Sequence, residues 1–426
     1  MSANEHLPGI DTGLLRFLTC GSVDDGKSTL IGRLLFDTKT ILADTLSSIE
    51  KTSQRRGLTA VDLSLITDGL QAEREQGITI DVAYRYFTTG TRKYIIADAP
   101  GHEQYTRNMF TAASTANLAI ILVDARKGVQ TQTRRHSYLA HLVGIPHLVV
   151  AVNKMDLVGY DRETFEQIRA DYLAFARRLG IPDVRFIPMS ALNGDMVVER
   201  GSNLSWYEGP TLLQVLESTP NAHTEVPEDF RFPVQYVCRP QDSANPELHD
   251  YRGFMGRVES GEIAVGDAVT VLPSGRTSAV RAIEIGGVRQ PLAIHEQSVT
   301  LLLEDDIDVS RGDMIVKSAE QPQAVREIDV NVCWLSETPL SSARTYLVRH
   351  TTREVKAKVV KIDYRLDLNT LDEVDTNVLD TNDIARLTLK LAQPVFADAY
   401  EDNRATGAFI LIDESTNNTV GAGMIR

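Results

Sequence analysis

One eight-residue stretch has the residue types and the spacing needed to bind phosphate groups. It reads Gly21-Ser22-Val23-Asp24-Asp25-Gly26-Lys27-Ser28 and matches the pattern G-x-x-x-x-G-K-[ST] at every fixed position. Two glycines let the backbone wrap closely, so that its N–H groups point at phosphate oxygens. The pattern also predicts that Lys27 contacts the terminal phosphates and that the Ser28 hydroxyl binds Mg²⁺. The predicted nucleotide ligands of this stretch are Gly21, Val23, Asp24, Asp25, Gly26, Lys27, Ser28 and Thr29.

A second group of residues could hold the metal and sense the last phosphate. An apolar run at residues 93–97 predicts a buried strand that leads into Asp98-Ala99-Pro100-Gly101. We expect Asp98 to hold Mg²⁺ through water and the Gly101 N–H to reach the γ-phosphate. Thr79 ends a long polar connection, and its hydroxyl is expected to complete the Mg²⁺ shell.

A third group of residues could read a base. Asn153-Lys154-Met155-Asp156 follows an apolar run at residues 147–152. A carboxylate at Asp156 accepts hydrogen bonds from N1–H and the 2-amino group of guanine, whereas adenine has an acceptor at N1 and no 2-amino group. A backbone N–H after the run at residues 184–189 is expected to bind the guanine O6. The predicted ligand is therefore GTP or GDP, and the predicted base contacts are Asn153, Lys154, Asp156, Ser190, Ala191 and Leu192.

These groups need a particular set of elements to bring them together. Apolar runs at residues 14–20, 118–123, 147–152 and 184–189 predict strands, and residues 29–36 have apolar side chains at helical spacing. Residues 81–87 and 93–97 predict a hairpin. Each chemical group then follows the end of a strand, as expected for ligand binding at the carboxyl edge of a parallel sheet.

Composition and length restrict the class of protein. The chain has 426 residues, 42% of them hydrophobic and 24% charged, so we expect two or three domains of a soluble globular protein. No apolar run approaches membrane-spanning length and no signal sequence begins the chain, which predicts a cytoplasmic protein with no membrane partner. Cys20, Cys238 and Cys333 are far apart in sequence and are predicted as buried thiols.

Charge divides unevenly along the chain. Residues 1–220 carry 23 Lys and Arg against 25 Asp and Glu, whereas residues 221–426 carry 21 against 33. An acidic surface disfavours binding to nucleic acid, because neutralising phosphates supplies most non-specific affinity. One local exception, residues 344–365, has seven basic residues against two acidic ones; a solvated strand pair is favoured over an anion or partner site.

The second half of the chain lacks helical periodicity. Short β-rich runs occur at residues 232–238, 253–259, 268–272, 278–285 and 298–303, with glycine- and proline-containing turns between them. This spacing predicts a closed β-barrel. The predicted organisation is an N-terminal tail (1–12), an α/β domain (13–220), a linker (221–231), a second domain (232–320) and a third domain (321–426).

The motifs together resemble those of translation-factor-type GTPases such as elongation factor Tu. Within that superfamily the chain looks most like the GTPase subunits of bacterial sulfate adenylyltransferases, on three features. Asp25 stands where elongation factors typically carry histidine, Glu103-Gln104-Tyr105-Thr106 follows His102, and residues 68–77 read DGLQAEREQG. The resemblance implies a P-loop GTPase domain followed by two all-β barrel domains.

The resemblance also implies roles that spacing does not assign. His102 would orient the attacking water, with a structural hydrogen bond to a nearby carbonyl as the alternative. Val23 and Ile78 match the apolar gate that restrains this histidine. Lys27, Thr79 and His102 are thus the predicted catalytic residues, and Ser28, Thr79 and Asp98 the predicted metal ligands.

The implied partner is a small subunit that transfers an adenylyl group from ATP to sulfate, and some relatives carry a fused adenylylsulfate kinase. Two alternatives stay open at this point. One is a translation factor that carries aminoacyl-tRNA, which the acidic second half disfavours. The other is a module that holds GTP without hydrolysing it.

Overall fold

The structure is a computed structural model that describes residues 13–41, 43–55, 61–66, 82–101, 106–181, 184–220, 227–240 and 250–426. The chain divides into two compact units. One comprises residues 1–222 with the short segment 368–371, and the other comprises residues 223–367 and 372–426. The narrower domain limits that the sequence suggests stay predictions.

The first unit alternates strands and helices. Its strands are β1 (Leu14–Cys20), β2 (Ala83–Thr88), β3 (Lys93–Asp98), β4 (Leu118–Asp124), β5 (His147–Asn153) and β6 (Val184–Pro188). Its helices are α1 (Lys27–Asp37), α2 (Ala43–Arg55), α3 (Thr106–Ala113), α4 (Thr131–Leu142), α5 (Arg162–Arg178) and α6 (Leu212–Ser218). Two short 3₁₀ turns, Leu63–Ile66 and Met155–Val158, complete the described elements.

Six strands form one sheet in the order β2-β3-β1-β4-β5-β6. All neighbours pair in parallel except β2, which forms an antiparallel hairpin with β3. Every residue of β4 is buried, as expected for a central parallel strand covered on both faces. The order reverses direction at β1, because β3 pairs with one of its edges and β4 with the other, and ligands bind at such a switch point.

Aromatic packing fixes the hairpin against β1. The rings of Phe87 and Tyr94 stack with centroids 4.4 Å apart, and Phe17 meets both of them edge-on. All three side chains are buried in the core of the first unit. This packing holds the end of β3, and therefore Asp98, beside the end of β1.

The first barrel of the second unit closes through six strands. Their order is β10-β15-β7-β8-β14-β11, and an additional pairing of β10 with β11 completes the ring. The strands of this part are β7 (Phe232–Cys238), β8 (Gly253–Arg257), β9 (Glu262–Ala264), β10 (Ala268–Leu272), β11 (Arg276–Ile285), β12 (Val288–Gln290), β13 (Leu292–Ile294), β14 (Ser298–Leu303) and β15 (Met314–Lys317).

The second barrel closes in the same way. Its order is β17-β21-β22-β16-β20-β18, with β17 and β18 also paired. Its elements are β16 (Ala324–Trp334), β17 (Thr345–His350), β18 (Arg353–Leu366), β19 (Glu373–Val374), β20 (Ile384–Phe396), the helical turn α7 (Arg404–Gly407), β21 (Ala408–Asp413) and β22 (Thr419–Ile425). The two closed rings confirm the predicted fold class of an α/β domain followed by β-barrels.

A buried ion pair joins the two barrels. The Arg231 guanidinium, only 2% exposed, donates to both carboxylate oxygens of Asp398 at 3.0 Å. It also donates to the Glu320 carbonyl at 2.8 Å, so the charge is paired and its donors are shared among several acceptors. The Asp398 side chain is 19% exposed, so it is the loss of Asp398 that would leave a charge in the interior, that of Arg231, with weaker compensation.

Most predicted strands are present, with shifted ends. The strand predicted from residue 81 is described from Ala83, since Asp81 lies outside the described residues. Residues 344–365 form the paired strands β17 and β18, which confirms the favoured strand-pair interpretation. Cys20 and Cys333 are buried as predicted, whereas Cys238 is only partly buried near the end of β7. No helix in the described part of the chain has the length and apolar character needed to cross a membrane.

Candidate functional site

The carboxyl ends of four parallel strands meet at one edge of the sheet. Gly21 follows β1, Asp98 ends β3, Asp124 ends β4 and Asn153 ends β5. Thr19 lies opposite Asp98, and Asp124 lies opposite Asn153, in the strand register. The fold therefore brings together the predicted phosphate loop, metal motif and base-reading motif, which are separated by up to about 130 residues in sequence.

Gly26 makes the turn from the phosphate loop into α1. Its φ is 93°, in the left-handed region, and helix α1 begins at the next residue. A Cβ at this position would lie 2.5 Å from Asn153 Nδ2, so the absence of a side chain also lets the base-reading strand end approach. The open N–H groups of the first helical turn are the donors expected to face phosphate.

Asp25 folds its side chain back into the phosphate loop. Its Oδ2 accepts a hydrogen bond from the Ser22 N–H at 2.7 Å, and its own N–H donates to the Ser22 carbonyl at 3.2 Å. Burial raises the pKa of the Asp25 carboxyl to about 6, against the opposing influence of the Ser22 hydrogen bond. The generic motif gives no hint of this contact, since position 25 is one of its variable positions.

Lys27 connects the phosphate loop to the end of β3. Its Nζ donates to the Ala99 carbonyl and lies 3.3 Å from Asp98 Oδ1. Both side chains are buried, Lys27 at 8% and Asp98 at 1% exposure. Lys27, predicted to bind phosphate, and Asp98, predicted to hold the metal, thus lie within one site. A bound phosphate would compete with Asp98 and the Ala99 carbonyl for the Lys27 ammonium group.

Gly101 approaches the phosphate loop from the other side. A Cβ at Gly101 would lie 2.5 Å from the Gly21 carbonyl oxygen, closer than any real side chain could sit. Only glycine fits this approach without a backbone shift. The role of the Gly101 N–H at the last phosphate stays a prediction.

Asn153 links the base-reading motif to two other loops. Its Nδ2 donates to the Asp25 carbonyl at 2.8 Å, and its Oδ1 accepts from the Ala191 N–H at 2.9 Å. All three residues are buried. The side chain therefore fixes the distance between the phosphate loop and the predicted O6-binding loop.

Lys154 and Asp124 form an ion pair beside the loop. Lys154 Nζ lies 3.1 Å from Asp124 Oδ2 and also donates to the Asp24 carbonyl. Arg126 donates to both Asp124 oxygens, at 3.0 and 2.6 Å. Burial alone would raise the pKa of Asp124, but the hydrogen bonds from Arg126 and Lys154 outweigh it and hold the pKa well below its usual range. Asp124 directly follows the apolar run at residues 118–123, but the sequence did not predict its ion pair with Lys154.

Asp156 and the loop after β6 complete the predicted base site. Asp156 is half-buried in the 3₁₀ turn that begins at Met155, whose N–H donates to the Met189 carbonyl at 3.1 Å. Ser190 and Ala191 are buried, and Leu192 is 62% exposed. The described geometry places these residues on neighbouring strand ends, as predicted.

Arg33 is a site residue that the sequence analysis missed. It projects from α1 and donates from Nε to the Ala191 carbonyl at 3.2 Å, and from its terminal nitrogen to the Leu192 carbonyl. The same helix that starts at the phosphate loop therefore holds the predicted base loop in place. An arginine two turns after Lys27 is a weak sequence signal, because its partners lie 158 and 159 residues away.

Buried groups near the site are held neutral. Burial lowers the pKa of His136 to about 3, and the nearby Lys27 charge lowers it further. Burial raises the pKa of the Cys20 thiol to about 12. Neither side chain changes charge near neutral pH.

The remaining predicted residues divide into two groups. Ser28 and Thr29 are half-buried in the first turn of α1, and Val23 and Asp24 are exposed. The predictions for Ile78, Thr79 and His102 lie outside the described residues.

Two described side chains at this edge of the sheet, Ser28 and Asp98, are oxygen donors that a nucleotide-bound Mg²⁺ could use. In the described part of the chain, no three His, Cys, Asp or Glu side chains gather closely enough to hold a metal ion. Mg²⁺ with a nucleotide needs only one or two protein oxygens, because phosphates and water supply the rest. Ser28 and the buried Asp98 carboxylate are oxygen donors of this kind.

Comparison with protein families and curated proteins gives consistent matches. Residues 13–222 match the family model described as elongation factor Tu GTP binding domain, and residues 327–426 match the model described as GTP-eEF1A C-terminal domain-like.

Similar curated proteins span almost the whole chain. Sulfate adenylyltransferase subunit 1 of Aliarcobacter butzleri (strain RM4018) is 55% identical over 97% of this chain and 87% of its own length. The protein of the same name from Laribacter hongkongensis (strain HLHK9) is 55% identical over 97% and 85%. Bifunctional enzyme CysN/CysC of Mycobacterium tuberculosis (strain ATCC 25618 / H37Rv) is 53% identical, and the match covers 97% of this chain and 67% of that enzyme.

Proposed function

The chain belongs to the sulfate adenylyltransferase subunit 1 family, with an elongation factor Tu-type GTP-binding domain, and from this premise we propose that it is a GTP-hydrolysing regulatory subunit. In this proposal, GTP hydrolysis is coupled to synthesis of adenylylsulfate from ATP and sulfate on a partner subunit. The observation that supports it most directly is the convergence of Lys27, Asp98 and Asn153 at one sheet edge.

The site residues have separate tasks in binding. The phosphate loop supplies backbone N–H groups and the Lys27 ammonium to the phosphates. Asn153 and Asp156 read guanine, while the stem of Lys154 covers the base and its ammonium stays paired with Asp124. Because Asp156 offers acceptors to N1–H and the 2-amino group, adenine is rejected.

Mg²⁺ would be held by Ser28, Thr79 and Asp98, and it would neutralise charge that develops on the phosphates. To bind nucleotide, Lys27 exchanges its contacts with Ala99 and Asp98 for phosphate oxygens. Asp98 is then released from the ion pair and can face the metal. His102 orients the water for in-line attack, and Gly101 donates its N–H to the phosphate that leaves.

The partner in this proposal is the small subunit that carries out adenylyl transfer. The numbering in the relatives' name implies at least one further subunit. The proposal includes an adenylylsulfate kinase as a second functional associate, on the family resemblance alone. In this proposal GTP occupies the site formed by Lys27, Asn153 and Asp156. Transfer of the adenylyl group from ATP to sulfate therefore requires a separate site.

The test is GTP turnover by the purified chain, alone and with the small subunit, ATP and sulfate. We expect turnover to be slow alone and to rise when all three are present, because partner-stimulated GTPases gain roughly 10³-fold or more on completion of the site. The Asp156→Asn variant, assayed with GTP in the same mixtures, is the matched control, because its base site no longer offers the acceptor that guanine needs. Unchanged turnover in every mixture, together with tight binding of aminoacyl-tRNA, would support the translation-factor alternative instead.

A further inference from the structure

Asp25 is a carboxylate within the phosphate loop itself. Its side chain is 3% exposed and accepts the Ser22 N–H at 2.7 Å, while the Asp25 N–H donates to the Ser22 carbonyl. These two hydrogen bonds close a small ring within the loop. The side chain also lies close to Gly21, whose added Cβ would be 3.3 Å from Asp25 Oδ2.

The same residue connects to the base-reading end of the site. The Asp25 carbonyl accepts from Asn153 Nδ2, and Asn153 in turn accepts from the Ala191 N–H. A shift of the Asp25 backbone would therefore move contacts at both ends of the nucleotide. Asp25 is thus one of the points at which the phosphate loop and the predicted base site are joined, beside the contact of Lys154 with the Asp24 carbonyl.

The charges around Asp25 leave its carboxylate incompletely compensated. Lys127 and Lys154 attract it and Asp124 repels it. Lys154 is already paired with Asp124, and Lys27 with Asp98. In the described part of the chain, no cation lies within ion-pair distance of Asp25, and burial accordingly raises its pKa to about 6.

We propose that Asp25 is a positioning residue for the nucleotide phosphates, and that its carboxylate takes up a proton when they bind. The inference rests on the proposed GTP site. Phosphates add negative charge beside an already buried carboxylate, which favours the protonated form. A protonated Asp25 keeps an oxygen that accepts the Ser22 N–H, so the loop retains its shape while the repulsion is removed.

The direction of the pH effect follows from linkage. The pKa of Asp25 is higher in the nucleotide complex than in the free protein, so the complex binds more protons. Nucleotide affinity is therefore highest below the free-protein pKa of about 6 and falls as the pH rises through it towards the pKa of the complex. Each unit by which the phosphates raise the pKa corresponds to about a tenfold change in affinity.

The experiment measures GDP·Mg²⁺ binding by calorimetry from about pH 5 to about pH 8, in buffers that differ in ionisation enthalpy. The wild-type protein is expected to take up protons on binding, mostly above the free-protein pKa of about 6, and to bind several-fold more tightly at the acid end. Asp25→Asn retains the acceptor and lacks the charge. It should take up fewer protons and should bind GDP more tightly than wild type at the alkaline end.

Asp25→Ala tests the positioning part, since it lacks the acceptor for the Ser22 N–H. It should bind more weakly than Asp25→Asn at every pH. His136 remains neutral throughout this range, and His102 is present in all variants, so neither contributes to a difference between wild type and Asp25→Asn.

The possible results distinguish this inference from the proposed function. If wild type and Asp25→Asn take up the same number of protons and show parallel affinity profiles, Asp25 does not take up the proton and that part of the proposal is wrong. If Asp25→Ala binds GDP as tightly as Asp25→Asn does, the positioning role is wrong. If the wild type takes up no protons beyond those that the ionisation of the GDP phosphate accounts for, the proposed proton uptake is overturned even if a variant fails to fold. Absence of GDP binding by folded wild-type protein at every pH would instead contradict the proposed GTP site.

Discussion

The side-chain amide of Asn153 donates a hydrogen bond to the backbone carbonyl of Asp25 at 2.8 Å. This contact ties the end of β5 to the phosphate loop after β1, two strands away in the sheet. The predicted base-binding and phosphate-binding motifs are therefore joined by a direct hydrogen bond. Substitutions at the base-reading end should affect nucleotide choice more than they affect the fold.

Asp156→Asn should change the base that the protein prefers. The amide offers a donor where guanine needs an acceptor, and that donor suits the 2-oxo group of xanthine. We expect GDP affinity to fall by roughly 10²-fold or more and XDP affinity to rise. Competition binding with the two nucleotides measures the change, and retained preference for GDP would refute the base-site assignment.

His102→Ala should separate binding from hydrolysis. A residue that only orients the water should leave GTP affinity within about twofold of wild type. Partner-stimulated hydrolysis should fall by roughly 10²-fold or more. Single-turnover hydrolysis and equilibrium binding of the same preparation give both values. Normal stimulated hydrolysis would remove His102 from the mechanism.

Arg33→Ala should weaken the base site without weakening phosphate binding. Loss of the hydrogen bonds to the Ala191 and Leu192 carbonyls frees the loop that is predicted to bind the guanine O6. We expect about a tenfold loss of GDP affinity, with binding of inorganic pyrophosphate unchanged because it has no base. Arg33→Lys is the matched control, since it keeps the charge and lacks the two-pronged geometry, and it should give an intermediate loss. Equal losses for GDP and pyrophosphate would indicate a general effect on folding.

Arg231→Ala should destabilise the second unit. The substitution removes the buried guanidinium and its hydrogen bonds to the Asp398 carboxylate and the Glu320 carbonyl. Asp398 is 19% exposed and keeps its hydrogen bond from the Thr406 hydroxyl, so we expect a loss of about 3 kcal/mol in unfolding free energy, the low end of the range for breaking a buried pair. Arg349→Ala is the matched control, because the Arg349–Glu354 pair spans exposed positions on β17 and β18 and contributes about 0–1 kcal/mol. Denaturant unfolding of both variants tests the difference. Equal losses would mean that the Arg231 pair is no stronger than a surface pair.

Local patterns predicted the larger elements well and the smallest ones poorly. β4 and β5 are long runs of apolar residues, and these runs predicted where the two strands lie. β9, β12 and β13 have three residues each, too few for an alternating pattern to be recognised. α2 (Ala43–Arg55) lies in the long polar connection before Thr79, and its last turns carry few apolar side chains, so the apolar periodicity does not mark its end.

The sequence by itself predicted the chemistry of the candidate site. The phosphate-loop pattern, the aspartate and glycine after β3 and the base-reading motif after β5 are each short, and their functions depend on residues close together in the chain. Their placement after successive strands also predicted that they would meet, because parallel strands present their carboxyl ends at the same edge.

Only the tertiary structure decided which side chains support those motifs. The contacts of Arg33 with the loop after β6, of Lys154 with Asp124, and of Arg231 with Asp398 join residues that are distant or unremarkable in sequence. Strand order and packing bring these partners together, and neither is encoded in local periodicity. Asp25 is a variable position in a short motif, and its fold-back onto Ser22 and its burial among Asp124, Lys127 and Lys154 arise only when the loop is packed against β4 and β5.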